Sequence, residues 1–335
     1  MSSGHHPPTL TSGRTRAGGH TIRHWWLAGL VVVALALALL LGLMAGAASG
    51  PTSAPVIHQL VKHAPHPLKP QLPTYGWALA PPGQRVMVKL KQSLSSGVLF
   101  NVRTGDVLWS RHPDRVLPIA SLTKMMTALI VVAHSHLSDR VLITRQAVHF
   151  SGSGVGELPL GRRVPLLPLL YGLLLPSGND AAIALAQHVA GTQSRFVALM
   201  NRQARSWGLR CTHFSSPSGI LDQQNHSCPG DLAILAHRML EQPLLARVVG
   251  SRSAILPFPI KAHRLFLYNN NPLLIVGYRG TDGVKTGYTT AAGVCLVATA
   301  RRGRAWFGVV LLHSANDVAQ AETLLNAAFA RDRHS

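Results

Sequence analysis

Acidic residues are the first thing this chain is short of. It has 335 residues, with 12 Asp and Glu against 32 Lys and Arg, for a formal charge of +20. Lysine is scarce too: 25 arginines carry most of the cationic charge and only seven lysines share it. Such a basic chain suggests nucleic acid as a partner. The arginines are scattered, however, no nucleic-acid motif is present, and aromatics are only 6%, so nucleic acid is excluded as the expected partner. An exported basic protein instead faces anionic lipid or a polyanionic wall. The three cysteines, Cys211, Cys228 and Cys295, have no metal-ligand spacing and cannot form a disulfide framework. Cys211 and Cys228 either bridge, if the domain is exported, or stay as buried free thiols. His213 and His226 share a loop but are two of 18 histidines, and no metal or cofactor is expected.

What is present starts with a long apolar run. Residues 1–24 form a tail with Arg14, Arg16 and Arg23 and no acid. Trp25 and Trp26 follow, and Leu27 to Met44 carries no charge. Residues 25–47 therefore read as a transmembrane signal-anchor, with a basic cytoplasmic flank and interfacial aromatics. Ala45-Gly46-Ala47 also fits a cleavage site, so a cleaved signal peptide is the alternative. Either way the rest of the chain is exported. Residues 48–83 hold eight prolines and no periodicity, which reads as an extended linker. The remainder, 84–335, is the expected globular domain.

In that domain Val86–Val88, Gly97–Val102 and Val107–Trp109 read as strands, and Leu166–Leu175, Ala181–Ala190, Phe196–Trp207 and Asp231–Leu240 as helices. Ser151–Gly156 reads as a plain glycine-rich loop and Gly280–Gly283 as a turn. Gly293–Ala300 and Trp306–Leu312 form a hairpin, followed by an amphipathic helix from about Asp317 to Ala330. Strands, then helices, then strands and a helix predict an α+β fold: an antiparallel sheet that the chain leaves for a helical region and later rejoins. Asp180, Asp231 and Asp282 are expected to cap or brace turns.

Three short motifs carry chemistry. Ser121 precedes Lys124 by three residues at the mouth of an apolar helix, so both lie on one face. Unpaired N–H groups at that helix start can meet a developing oxyanion. In a chain that prefers arginine, a lysine kept in apolar surroundings is a candidate base, because lysine can lose its proton and arginine cannot. Downstream come Ser177-Gly178-Asn179 and Lys285-Thr286-Gly287. Each motif alone is common; the ordered triple is the pattern of serine acyltransferases that react with penicillin.

The flanking residues resemble the D-alanyl-D-alanine carboxypeptidases, the low-molecular-mass penicillin-binding proteins of peptidase family S11. The likeness rests on Leu117–Ala128, Leu173–Ala182 and Thr281–Thr289, and runs from about Gly97 to Ala330. It implies a β-lactamase/transpeptidase-like fold and a serine peptidase in the bacterial cell envelope, on the extracytoplasmic (periplasmic) face. The substrate would be the D-Ala-D-Ala end of peptidoglycan stem peptides, with β-lactams as covalent inhibitors. By that resemblance Ser121 is the nucleophile, Lys124 its base and Ser177 a proton relay. Asn179 holds Lys124 and the substrate amide, Lys285 and Thr286 meet the terminal carboxylate, and Gly287 and Tyr288 are substrate-binding as well. The backbone N–H groups of Ser121 and Tyr288 form the oxyanion hole. Two departures stand out. The stretch Leu312–Asp317 lacks the arginine that many relatives use to clamp the carboxylate. Glu241, the one glutamate between the second and third motifs, lacks the context of a β-lactamase deacylation base. A cross-link-cutting endopeptidase and a non-turnover β-lactam sensor are the alternatives, and Gly178 stands where endopeptidases tend to have glutamate.

Overall fold

Leu94–Asn101 is buried along almost its whole length because its strand is covered on both sides. Successive side chains point to opposite faces. Val98 and Phe100 enter one core, Leu99 between them the other. The same alternation divides Val297 from Leu296 and Val310 from Leu311. This computed structural model describes residues 76–220 and 224–333. The tail, the apolar segment 25–47 and most of the linker fall outside the described residues. Among the described residues no helix is long and apolar enough to cross a membrane.

The main sheet comprises β1 (Ala78–Leu79), β2 (Leu94–Asn101), β3 (Asp106–Arg111), β4 (Thr281–Thr289), β5 (Gly293–Arg302) and β6 (Ala305–Ser314). Its order is β1-β3-β2-β6-β5-β4. All neighbours are antiparallel except β1 and β3. Between β3 and β4 the chain builds helices α1 (Lys124–His134), α2 (Leu166–Leu174), α3 (Asn179–Ala190), α4 (Gln193–Ser206), α5 (Pro229–Glu241) and α6 (Pro243–Gly250). The last helix, α7 (Asp317–Asp332), follows β6.

The helices divide between the two faces. α7 packs Leu324, Leu325 and Phe329 on one face, with the Phe329 ring edge-on to Phe307 at 5.2 Å. α5 covers the other face, against β2 and β6. α1 lies within the helical region against α2, α3, α4 and α5, and its residues from Lys124 to Val131 are all buried. Every residue of α2 is buried as well, which is why its sequence shows no polar face. Each such leucine contributes about 1.5–3 kcal/mol of burial. Pro168 sits in the first turn of α2, where the backbone N–H has no intrahelical partner to lose.

Three sequence expectations differ from the structure. Val86–Val88 is not a strand: Met87 is 96% exposed and Val86 N–H alone of these three reaches β3, at Leu108 O. The sheet gains Ala78–Leu79 instead, inside the stretch read as linker. The glycines read as a turn at Gly280–Gly283 flank the start of β4. Gly280 is required by close approach, since a Cβ there would lie 2.3 Å from Arg301 O. Residues 243–280, left without elements by the sequence, form α6, a ribbon of Ser253–Pro257 with Arg264–Tyr268, and a one-turn helix Pro272–Ile275. Cys211 and Cys228 form a disulfide, and Cys295 is buried and free.

Candidate active site

Ser121 lies in a 3-10 turn, Ala120–Thr123, that runs directly into α1. Two glycines hold that turn. A Cβ on Gly219 would fall 2.0 Å from Ala120 O, and one on Gly287 would fall 2.9 Å from Ile119 O and 3.1 Å from Ser121 N. Ala120 itself has φ +46°, a left-handed conformation that costs a residue with a side chain about 1–3 kcal/mol. The strain persists because the backbone on both sides leaves no alternative.

Lys124 is fully buried. Its Nζ lies 2.8 Å from Ser121 Oγ, 2.7 Å from Asn179 Oδ1 and 2.8 Å from Ser218 O. Burial first, and the cation of Lys285 second, push its pKa well below the ordinary lysine value, with Asp180 pulling partly back. A neutral amine has two N–H donors and one lone pair. Asn179 Oδ1 and Ser218 O can only accept, so they take the two donors. In that neutral form the lone pair is left for the Ser121 hydroxyl.

Asn179 is oriented by its other end, where Nδ2 donates to Ser151 O at 2.6 Å. Its backbone N–H donates to Ser153 O at 2.8 Å. The Asp180 carboxylate accepts from Val155 and Gly156 N–H; burial raises its pKa and these donors offset that only in part. Asp180 thus braces Ser151–Gly156, which is a wall of the site and more than the plain loop read from sequence. Ser177, between α2 and α3, has φ +67°, and its buried Oγ has no hydrogen-bond partner among the described residues. A Cβ on Gly178 would meet Val155 Cγ2 at 2.6 Å and Gly172 O at 3.0 Å.

The opposite wall is β4, the end strand of the sheet. Lys285 is buried, donates to Thr286 O at 2.9 Å, and has its pKa lowered by burial to about 7. Ser121, Ser177, Thr286, Gly287 and Tyr288 line one cleft of about 300 Å³. Lys124 and Asn179 lie beneath Ser121, and Lys285 lies behind Thr286. All eight residues singled out by the sequence are therefore in or against one site. Sequence reading missed Ser218, which acts through a backbone carbonyl that no side-chain motif marks. It also missed Ser153 and Asn270, which line the cleft.

The comparisons with known proteins fit this geometry. Residues 86–316 match the D-alanyl-D-alanine carboxypeptidase family. The chain belongs to that family. It is similar to the D-alanyl-D-alanine carboxypeptidase DacF of Bacillus subtilis, 33% identical over 220 residues, which are 64% of this chain and 56% of the relative. A D-alanyl-D-alanine endopeptidase of Pseudomonas aeruginosa is 33% identical over 236 residues, 70% of this chain and 76% of that one. Among solved structures, a Streptomyces DD-transpeptidase matches with TM-score 0.68 at 32% identity, covering 73% of this chain and 100% of that one. The chain spans about half the length of the curated carboxypeptidases DacF and DacA that it matches, at 56% and 52%. As a member of the carboxypeptidase family, it carries the fold of its structural neighbours. The antiparallel sheet flanked by helices is the α+β architecture expected from sequence.

His213 and His226 face each other across an antiparallel bridge, with stacked rings 5.6 Å apart. The group of potential metal ligands found among the described residues, Asp114 with Cys211 and Cys228, has both sulfurs tied up in the disulfide.

Proposed function

We propose that this protein is a serine-type D-Ala-D-Ala carboxypeptidase that removes the terminal D-alanine from peptidoglycan pentapeptide stems. The observation that carries the reading is the buried Lys124 amine, held by Asn179 and Ser218 with its Nζ 2.8 Å from Ser121 Oγ, and its pKa pushed by burial well below the ordinary lysine value. A serine hydroxyl needs such a base to become a competent nucleophile.

Ser121 Oγ bonds to the penultimate D-Ala carbonyl carbon as its proton passes to Lys124 Nζ. The oxyanion is met by the backbone N–H groups of Ser121 and Tyr288. As the C–N bond breaks, Lys124 returns the proton through Ser177 Oγ to the nitrogen of the departing D-alanine. Ser177, unpartnered among the described residues, suits this relay. Lys285 and Thr286 hold the substrate carboxylate. The free edge of β4 pairs with the extended peptide, as an exposed strand edge does with a peptide ligand. Water then hydrolyses the ester and regenerates Ser121. A β-lactam acylates the same oxygen and leaves slowly. The proposed setting is the extracytoplasmic face of the cell envelope, with residues 25–47 as the membrane anchor.

The full-length protein in detergent tests this. It should release D-alanine from a pentapeptide ending in D-Ala-D-Ala and label with penicillin, and Ser121→Ala should do neither. Labelling without D-alanine release would favour a sensor, and cleavage of cross-linked dimers alone would favour an endopeptidase. The crowding at Gly178, which leaves no room for a glutamate side chain, argues against the endopeptidase.

A further inference from the structure

The ribbon of Ser253–Pro257 with Arg264–Tyr268 carries apolar residues on both faces. Its inner positions, Leu256, Leu265 and Leu267, join the core beside α2. Register sets the outer face: Ile255 stands opposite Phe266, and Ser253 opposite Tyr268. Alternate side chains of a strand point the same way, so Ile255, Phe266 and Tyr268 form one outward patch. Ile275 and Val276 follow at the end of the one-turn helix, and all five side chains are more than half exposed. Five of the eleven exposed large apolar side chains among the described residues thus fall between 255 and 276. Such residues are ordinary when scattered singly; gathered in a patch they mark a docking face.

The charges around the patch indicate what it docks on. From Gln242 to Thr281 the chain has no acidic residue. Lys261 lies in the turn at the tip of the ribbon, and Arg264 stands opposite Pro257 on the outer face; both are exposed. Arg252 lies at the base, its Nη2 3.3 Å from where a Cβ on Gly277 would stand, next to Val276. None of these three cations forms a salt bridge among the described residues. An apolar centre with cations at both ends is complementary to the boundary between acyl chains and anionic headgroups. The stems of lysine and arginine lie along apolar surface while their heads stay with phosphate. A hydrophilic polyanion would use the cations and gain little from Ile255 and Phe266.

We infer that this face is a peripheral docking surface for an anionic lipid bilayer. Ile255, Phe266 and Tyr268 enter the interface, and Arg252, Lys261 and Arg264 meet the headgroup phosphates. Asn270, two residues beyond Tyr268, lines the catalytic cleft, so docking holds that end of the cleft near the membrane plane. The surface is independent of the reaction carried out in the cleft.

The test must read the ribbon itself, because an anchor at residues 25–47 would hold the chain on any vesicle. A polarity-sensitive fluorophore on Ser253→Cys, in the full-length protein reconstituted into vesicles, reports depth through quenching by spin-labelled lipid. Cys295 is buried and the other two cysteines are bridged, so the label goes to one position. We expect quenching in vesicles with about 30% phosphatidylglycerol to exceed that in phosphatidylcholine alone by about threefold, and to fall back in about 0.5 M salt. Lys261→Glu with Arg264→Glu, and separately Ile255→Ser with Phe266→Ser, should each abolish the difference, with the thermal midpoint and penicillin labelling unchanged. Equal quenching in the two lipids, or a difference that survives both double variants, overturns the docking surface. Loss with the charge reversal alone marks attraction to a polyanion without insertion, and overturns it too. A fluorescence shift that grows with protein concentration and needs no anionic lipid overturns it in favour of a second copy of the chain. D-Alanine release plays no part in the readout, so failure here leaves the hydrolase reading standing.

Discussion

The two walls of the cleft are built on different plans. On the helical side the polar groups around Ser121 are mostly engaged, Ser177 Oγ being an exception: Lys124 with three partners, Asn179 with Lys124, Ser151 and Ser153, and Asp180 with the loop that carries those serines. On the strand side the polar groups are largely uncommitted. Among the described residues β4 has no strand on its outer edge, and Tyr288 is 69% exposed. The first plan fixes a reacting group before substrate arrives, so that no reorganisation is needed during the reaction. The second leaves its interactions to be made by the substrate. Mutations on the helical wall should therefore act on acylation of any ligand, and those on the strand wall on the choice among ligands.

Lys124→Arg is the harshest test of that contrast. It keeps the positive charge and removes the base, because arginine cannot deprotonate. Acylation by a fluorescent penicillin should slow about a thousandfold, within the range for loss of a general base. A mild effect would mean that the Lys124 lone pair is not what activates Ser121. Asn179→Ala comes next. It leaves a buried amine short of one acceptor, which should lower the denaturation free energy by about 1–3 kcal/mol, and the displaced base should slow acylation about tenfold or more. Equal losses from a strand-wall substitution would erase the distinction between the walls. Thr286→Val supplies that control: KM for a D-Ala-D-Ala peptide should rise severalfold, with the thermal midpoint unmoved.

A pH slope is shared by both walls. Lys285 titrates near 7 in the folded protein and near 10.4 when unfolded. Between those values the unfolded chain binds the extra proton, so stability rises with pH across that window. Lys124 is shifted in the same direction and adds to the slope. Lys285→Met should flatten part of the rise in urea midpoint between pH 7 and 10, and no change would place Lys285 in a more solvated setting than its burial indicates.

The helical wall was the more legible in the sequence, for a physical reason. Its chemistry is carried by side chains in fixed spacing at or just before helix starts, so Ser121, Lys124, Ser177 and Asn179 announce themselves. Ser218 could not, because any residue offers a carbonyl. Asp317 reads as an ordinary helix-starting aspartate until β5 and β6 bring it to the cleft. The ribbon of Ser253–Pro257 and Arg264–Tyr268 went unseen because its outward positions include Ile255, Phe266 and Tyr268. A strand with apolar residues on both faces loses the alternation that marks a half-buried one. Val86–Val88 failed in the opposite way: three β-favouring residues that find only one ladder bond.

The order of strands in the main sheet has a consequence for how the molecule comes into being. Val98, near the start of the domain, pairs with Val310, near its end. The β2–β3 hairpin is made early in synthesis, yet the neighbour that covers its open edge arrives only after the helical region and the β5 strand have emerged. Until then β2 exposes two apolar faces and a row of unpaired backbone groups, the features of an aggregation-prone edge. Contacts this distant in sequence also fold slowly. A chain stalled before β6 should be a ready client for chaperones, whereas one complete through Ser314 should release them.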